Sequence, residues 1–216
     1  MCIVSFYKEE DQILLTHSRD ESIYRTTSTN IEKREWYGKT YYSPVDHEKN
    51  GSWIFYSEQY LACILNGGKI KPKELKPSYR RSRGLVLLDI LKYNEVEEFI
   101  ENEDLTGIAP FTILIHDRKN NKTFLLFWDE IQLDINDLSD ETFIFRCSST
   151  LYSFEKMKEL ENIFPKFNLS SPEIIFKLHE QIKMKPGDVA LEKATTSITQ
   201  IFANSSSINM KYCPFF

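Results

Sequence analysis

The sequence predicts an α+β fold: mainly antiparallel sheets with helices on their outer faces. Three observations predict it. Strands and helices come in blocks rather than in alternation. Consecutive strands are joined by tight turns, which excludes parallel βαβ crossovers. Several strands are half apolar, which suggests two sheets packed together. The chain has 216 residues, 41% of them hydrophobic and 13% aromatic. That is enough for a core and fits a single domain over residues 1–216.

The elements follow in order. Cys2 to Tyr7 is a short apolar-rich run and reads as a strand. Lys8-Glu9-Glu10-Asp11 is a polar turn, and Gln12 to His17 is the returning strand of a hairpin. Residues 22–50 show no clear period and read as a long excursion, with Trp36, Tyr37, Tyr41 and Tyr42 packing back. Long excursions of this kind are often functional. Asn50-Gly51 is a turn. Strands over Ser52 to Tyr56 and Tyr60 to Leu65 follow, the second ending at Asn66-Gly67-Gly68. Pro72 and Pro77 keep the next loop non-helical.

Arg83 to Tyr93 carries leucines at helical spacing (Leu85, Leu88, Leu91). Asn94-Glu95-Val96-Glu97 has the spacing of a capping box and opens a second helix through Ile100. Phe111 to His116 and Thr123 to Trp128 form another hairpin around Asn120-Asn121, and Thr142 to Cys147 is a further strand. Ser153 caps a helix to about Ile163. Ser171-Pro172-Glu173 supplies an N-cap, a proline at the first helical position and an acid, opening a helix to about Met184. Ala194 to Phe202 is a late strand, and Met210 to Phe216 adds one more.

The net charge of −5 argues against a nucleic-acid surface, which needs a basic excess. Positive charge clusters at Lys69, Lys71, Lys73, Lys76, Arg80, Arg81 and Arg83. This reads either as a solvated loop or as a mouth for an anionic group. No run approaches the ~18–20 apolar residues of a membrane span. The apolar start is short and lacks a basic flank, so no signal peptide is expected. Cys2, Cys63, Cys147 and Cys213 have no CxxC spacing, which fits a reducing, cytoplasmic setting without disulfides or zinc. His17, His47, His116 and His179 are equally scattered, and no metal is expected.

Cys2 is the first residue with chemical promise. A small second residue favours removal of Met1, which would leave a thiol and a free α-amine on one residue. An amine of pKa roughly 7.7–8.0 beside a thiol of about 8.5 is a nucleophile with its own base. Taken alone, Cys2 reads as a half-buried residue at the start of an edge strand. The predicted hairpin returns Ser18-Arg19-Asp20-Glu21 to the neighbourhood of Cys2, and a second hairpin ends at Asn66. Singly, Arg19 and Asp20 read as an ion pair at a strand end, Asn66-Gly67 as a turn with positive φ, and Trp53 as core.

With these residues in this order the chain resembles the NRDE family, also called the transport and Golgi organisation 2 family. Its Asn-Arg-Asp-Glu signature stands here as Ser18-Arg19-Asp20-Glu21. The Met-Cys start matches. Asn50-Gly51-Ser52-Trp53 is similar to the family's Gly-Gly-Thr-Trp. The likeness continues through Leu65-Asn66 and Ser82-Arg83-Gly84, and more faintly through Ser148-Ser149-Thr150-Leu151 and Thr195-Thr196-Ser197. The resemblance implies a branch of the N-terminal-nucleophile (Ntn) hydrolases, with a four-layer αββα sandwich.

It further implies Cys2 as the nucleophile on an amide carbonyl, with its α-amine moving the proton. Arg19 would lower the thiol pKa, Asp20 would orient the α-ammonium, and Asn66 would donate to the oxyanion. Trp53, Arg80 and Arg83 are weaker candidates for ligand contact. The implied activity is hydrolysis of a small or lipid-like, non-peptide amide without a cofactor. The alternative is a non-catalytic carrier of haem or an acyl-CoA-like lipid on the same fold. Two departures stand out. The signature begins with Ser18. The second asparagine and late arginine of related amidases fall near Ser148 and Lys193-Ala194, which match neither.

Overall fold

The structure is a computed structural model and describes residues 2–216. The chain divides into two compact units, Met1–Arg25 with Asp140–Phe216, and Thr26–Ser139. Each is built on one antiparallel sheet with few helices, so the α+β class read from the sequence is the class of the protein.

The first unit carries a five-stranded sheet. Its strands are β1 (Cys2–Glu9), β2 (Gln12–Ser22), β10 (Phe143–Cys147), β11 (Lys193–Ala203) and β12 (Ile208–Pro214), in the order β10-β1-β2-β11-β12. Both side-chain alternations of β2 are buried from Ile13 to Asp20. A strand covered on both faces needs apolar or satisfied polar groups at every position, and Thr16, His17, Ser18, Arg19 and Asp20 are the polar ones. One face is covered by α3 (Phe154–Glu161) and α4 (Pro172–Gln181). Ile3, Leu14, Phe145 and Cys147 from the strands meet Leu160, Phe164, Ile175 and Leu178 there. Both helices start as their sequences predict: Ser153 Oγ accepts from the Lys156 N–H at 3.2 Å, and Ser171 Oγ from the Ile174 N–H at 3.4 Å.

The second unit is a seven-stranded meander whose spatial order follows chain order. Its strands are β3 (Glu32–Trp36), β4 (Lys39–Ser43), β5 (Ile54–Ser57), β6 (Tyr60–Asn66), β7 (Phe111–Asp117), β8 (Lys122–Trp128) and β9 (Leu133–Asp137). Between β6 and β7 lie α1 (Arg83–Leu88), a 3₁₀ turn (Asp89–Lys92) and α2 (Val96–Asn102). Tyr41, Phe55, Tyr60, Phe99 and Phe111 are fully buried in its core.

Three differences from the sequence reading have physical causes. The excursion over residues 22–50 contains the β3–β4 hairpin. Its two-residue turn is Tyr37-Gly38 with φ of 49° and 74°. Hairpin turns with two positive φ values favour Asn or Asp before Gly, so a tyrosine hides the signal. β9 is an edge strand of mostly polar sequence (LDIND), without the apolar run that marks a buried strand. The capping box at Asn94 slides by one residue: Glu95 is the N-cap, and the Glu98 carboxylate accepts from the Asn94 N–H at 2.9 Å.

Two segments singled out separately in the sequence prove to be one packing unit. A Cβ on Gly51 would stand 2.6 Å from the Gly84 carbonyl carbon, and one on Gly84 would stand 2.7 Å from the Ser52 oxygen. Asn50-Gly51-Ser52-Trp53 and Ser82-Arg83-Gly84 therefore touch backbone to backbone, with the Ser52 N–H donating to the Gly84 oxygen at 3.3 Å. Among the described residues no helix is long and apolar enough to cross a membrane.

Candidate active site

The register of the first sheet decides which signature residues meet. Cys2 lies directly opposite Arg19 across β1–β2, and Arg19 lies opposite Ser197 across β2–β11. Directly opposed side chains share a face, so Cys2, Arg19 and Ser197 form one row. Asp20, one residue on, is opposite Thr195 on the other face, the one that carries α3 and α4. Signature neighbours thus diverge because a strand alternates its side chains.

Cys2 is 3% exposed, and the Ser148 N–H donates to its carbonyl at 2.8 Å. Burial pushes its thiol above the usual range. The Asp20 charge pushes the same way, and the Arg19 guanidinium opposes both. Arg19 is buried too, and its Nη1 donates to Thr196 Oγ1 at 3.2 Å. That hydroxyl donates in turn to the Arg19 carbonyl at 3.1 Å. Thr196 is the extra residue of a β-bulge between Thr195 and Ser197. Bulges re-aim side chains and recur beside active sites.

Asp20 is fully buried. Thr195 Oγ1 donates to one carboxylate oxygen at 2.6 Å and Tyr152 Oη to the other at 2.8 Å. Burial raises the Asp20 carboxyl to about 6, against the pull of these two donors. Glu21 differs. Burial works to raise it, but positive charge nearby and a 2.9 Å contact from Lys193 Nζ win, and it sits at about 2.

Ser18, which stands where the signature has asparagine, is held by a residue that sequence reasoning passed over. His179 of α4 is fully buried, and its Nδ1 lies 2.8 Å from Ser18 Oγ while its Nε2 lies 2.8 Å from Ser5 Oγ. Burial lowers its pKa to about 3, so the ring is neutral and bridges β1 to β2 through two hydroxyls. Tyr152 and Thr196 also went unassigned. Thr196 had a faint signal in Thr195-Thr196-Ser197, whereas His179 and Tyr152 had none.

The remaining candidates belong to the second unit. Asn66 ends β6 opposite Phe111, and Gly67 follows with φ +87°. The Gly67 N–H and Arg83 Nη1 both donate to the Pro110 carbonyl, at 2.9 and 3.0 Å. Trp53 is 6% exposed and immediately precedes β5. Arg80 donates to the carbonyls of Thr106 and Asp104, at 2.9 and 2.5 Å, and pairs with the Asp104 carboxylate. Much of the basic cluster is engaged with carboxylates: Lys69 with Asp134, Lys76 with Glu130, Arg81 with Asp89. Among the described residues no group of three or more His, Cys, Asp or Glu could hold a metal ion.

The family model described as Transport and Golgi organisation 2 matches residues 1–214. The chain belongs to that family. No curated protein matches it in sequence. Solved structures resemble it in fold. Penicillin V acylase from Agrobacterium tumefaciens superposes with a TM-score of 0.61 at 11% identity, over 100% of this chain and 86% of the acylase. A variant of conjugated bile acid hydrolase from Clostridium perfringens gives 0.59 at 10% identity, over 96% of this chain and 92% of the hydrolase. This Transport and Golgi organisation 2 protein therefore has the N-terminal-nucleophile hydrolase fold. In this chain Cys2 and the Arg19-Asp20 pair lie on two neighbouring strands of one sheet.

Proposed function

We propose that the protein is a cysteine N-terminal-nucleophile amidohydrolase, acting on a non-peptide C–N bond once Met1 has been removed. The observation that carries this reading is the register pairing of Cys2 with Arg19, a buried thiol opposite a buried guanidinium, with Asp20 next in the chain. A full positive charge near a thiol favours the thiolate and offsets part of the penalty of burial.

The reaction follows from those groups. The free α-amine of Cys2 takes the thiol proton, and the thiolate attacks the amide carbonyl carbon. The tetrahedral oxyanion collapses to a thioester. The C–N bond breaks, and the leaving amine takes the proton from the α-ammonium. Water, deprotonated by the same amine, then attacks the thioester, releasing the carboxylate and restoring the thiol. Asp20 holds the α-ammonium. Asn66 keeps the role implied by the family resemblance, an amide N–H donor to the oxyanion, typically worth ~3–4 kcal/mol. Glu21, held by Lys193, orders the strand end. A reducing cytoplasmic location suits four free cysteines.

The test combines intact-mass analysis, iodoacetamide labelling and a panel of N-acyl amides. Loss of Met1, preferential labelling of Cys2 over Cys63, Cys147 and Cys213, and turnover abolished in Cys2→Ala are the expected results. Retained Met1, or equal labelling of Cys2 and the half-buried Cys213, sinks the reading.

A second reading, a non-catalytic carrier of haem or an acyl-CoA-like lipid, is favoured by one observation. The late arginine of related amidases falls near Lys193-Ala194, and Lys193 is committed to Glu21. Saturable binding of haem or acyl-CoA that survives Cys2→Ala, with no amide turned over, supports it. Binding that is absent or lost at moderate salt removes it.

A further inference from the structure

The amidohydrolase reading leaves open what the second half of the chain supplies, since the asparagine and arginine of related amidases are missing. The neighbourhood of Asp20 answers with hydroxyls. Both of its oxygens are engaged, one by Tyr152 Oη and one by Thr195 Oγ1. Tyr152 directly follows the faint Ser148-Ser149-Thr150-Leu151 stretch, and Thr195 opens the Thr195-Thr196-Ser197 stretch.

The direction of both bonds is determined. The Met184 N–H donates to Thr195 Oγ1 at 2.8 Å, and an amide N–H has no other option. The Thr195 hydroxyl proton is thereby left for Asp20. The Thr195 N–H donates back to the Met184 carbonyl at 3.0 Å, closing a two-bond clasp on that residue. Tyr152 is half-buried, and burial together with the Asp20 charge pushes its phenol far above the usual range. It therefore remains a donor.

Neutral donors do what a cation would not. A contacting lysine or arginine would neutralise the carboxylate and hold it as a closed ion pair. Two hydroxyls fix its position and plane while leaving its charge to act on a further group.

We propose that Tyr152 and Thr195 are positioning residues that hold Asp20 by its two oxygens, so that its charge is presented to the α-ammonium of Cys2. The proposal rests on the amidohydrolase reading, because only a processed Cys2 has that ammonium. Thr196 does the parallel work for Arg19, tying the guanidinium and the Arg19 carbonyl to one hydroxyl.

The experiment uses the full-length processed protein and the variants Tyr152→Phe, Thr195→Val and Thr195→Ser. The Asp20 carboxyl is followed by ¹³C NMR against pH, and the alkylation rate of Cys2 by iodoacetamide over the same range. Thermal unfolding confirms that each variant is folded. Removing either donor destabilises the carboxylate, so the Asp20 midpoint moves upward from about 6 by roughly one pH unit in Tyr152→Phe and Thr195→Val. The Cys2 alkylation profile carries an inflection that moves with it, and Thr195→Ser keeps the parent midpoint.

An unmoved midpoint in both variants overturns the proposal. So does a moved midpoint with an unchanged alkylation profile, because the clasp is then structural only. A parent whose Cys2 resists alkylation at every pH sinks the amidohydrolase reading instead, and the carboxyl titration still decides whether the clasp sets the state of Asp20.

Discussion

Two fully buried aspartates, one in each unit, are held in opposite ways. Asp89, in the Thr26–Ser139 unit, is met by the two-pronged Arg81 guanidinium and by Trp36 Nε1 at 3.1 Å. Asp20, in the other unit, is met by the hydroxyls of Thr195 and Tyr152. Burial raises the carboxyl in both cases, and at Asp89 the guanidinium and indole pull back. Asp89 is a charge neutralised in place, which is what structural burial of a carboxylate demands. Asp20 is a charge held but not neutralised by those donors. That arrangement is costly for folding and characteristic of sites where a carboxylate acts on something else.

The largest effect that tests this contrast is Arg81→Ala. Removing the guanidinium leaves buried Asp89 with only the Trp36 indole and the more distant Lys92 ammonium at 3.9 Å, and urea unfolding at pH 7 is expected to show a loss of about 3 kcal/mol. The double variant Arg81→Ala/Asp89→Asn recovers part of it. A loss under about 0.5 kcal/mol breaks the contrast, because Asp89 is then not held by its ion pair.

Asp20→Asn is expected to act in the opposite direction. The folded-state pKa of about 6 lies above the ordinary 3.8. The contribution of Asp20 to folding is fully present below pH 4 and is lost as pH rises through about 6. The variant should therefore exceed the parent in stability above pH 7, by up to about 3 kcal/mol, with the gap closing below pH 4. Amide turnover should disappear in the same variant. Equal stability at pH 4 and pH 8 removes the strain attributed to Asp20.

Lys193→Ala is the smallest of the three. Glu21 sits at about 2, below its ordinary 4.5. Its contribution is present above pH 4.5 and is lost as pH falls through about 2. The loss in Lys193→Ala should reach about 1 kcal/mol above pH 5 and vanish near pH 2. A loss that persists at pH 2 assigns Lys193 to packing rather than to charge.

The legible parts of the chain were those written in local pattern. The apolar runs Cys2–Tyr7 and Gln12–His17 around a polar turn, Asn120-Asn121, Ser153 and Ser171-Pro172 each announce an element through burial, backbone preference or capping chemistry. β3, β4 and β9 were not legible, because Tyr37 occupies a turn position usually held by Asn or Asp and because an edge strand such as LDIND needs no apolar run. The site divides in the same way. The pairing of Cys2 with Arg19, and the place of Asp20 beside it, were reachable through hairpin reasoning and the family signature. His179 reaches Ser18 across 161 positions and Tyr152 reaches Asp20 across 132, distances over which no local pattern carries information.

The sequence by itself determined the α+β class, the strand pair that carries Cys2 and Arg19, and the family, because apolar runs, turns and signature residues are local properties of the chain. Only the tertiary structure decided that Arg19 shares the face of Cys2 while Asp20 lies on the helix side. It also decided that hydroxyls from the second half meet Asp20 and that His179 bridges Ser18 to Ser5. Which face a residue occupies follows from register. Which groups meet it there follows from how distant segments pack, and neither is encoded in a residue's immediate neighbours.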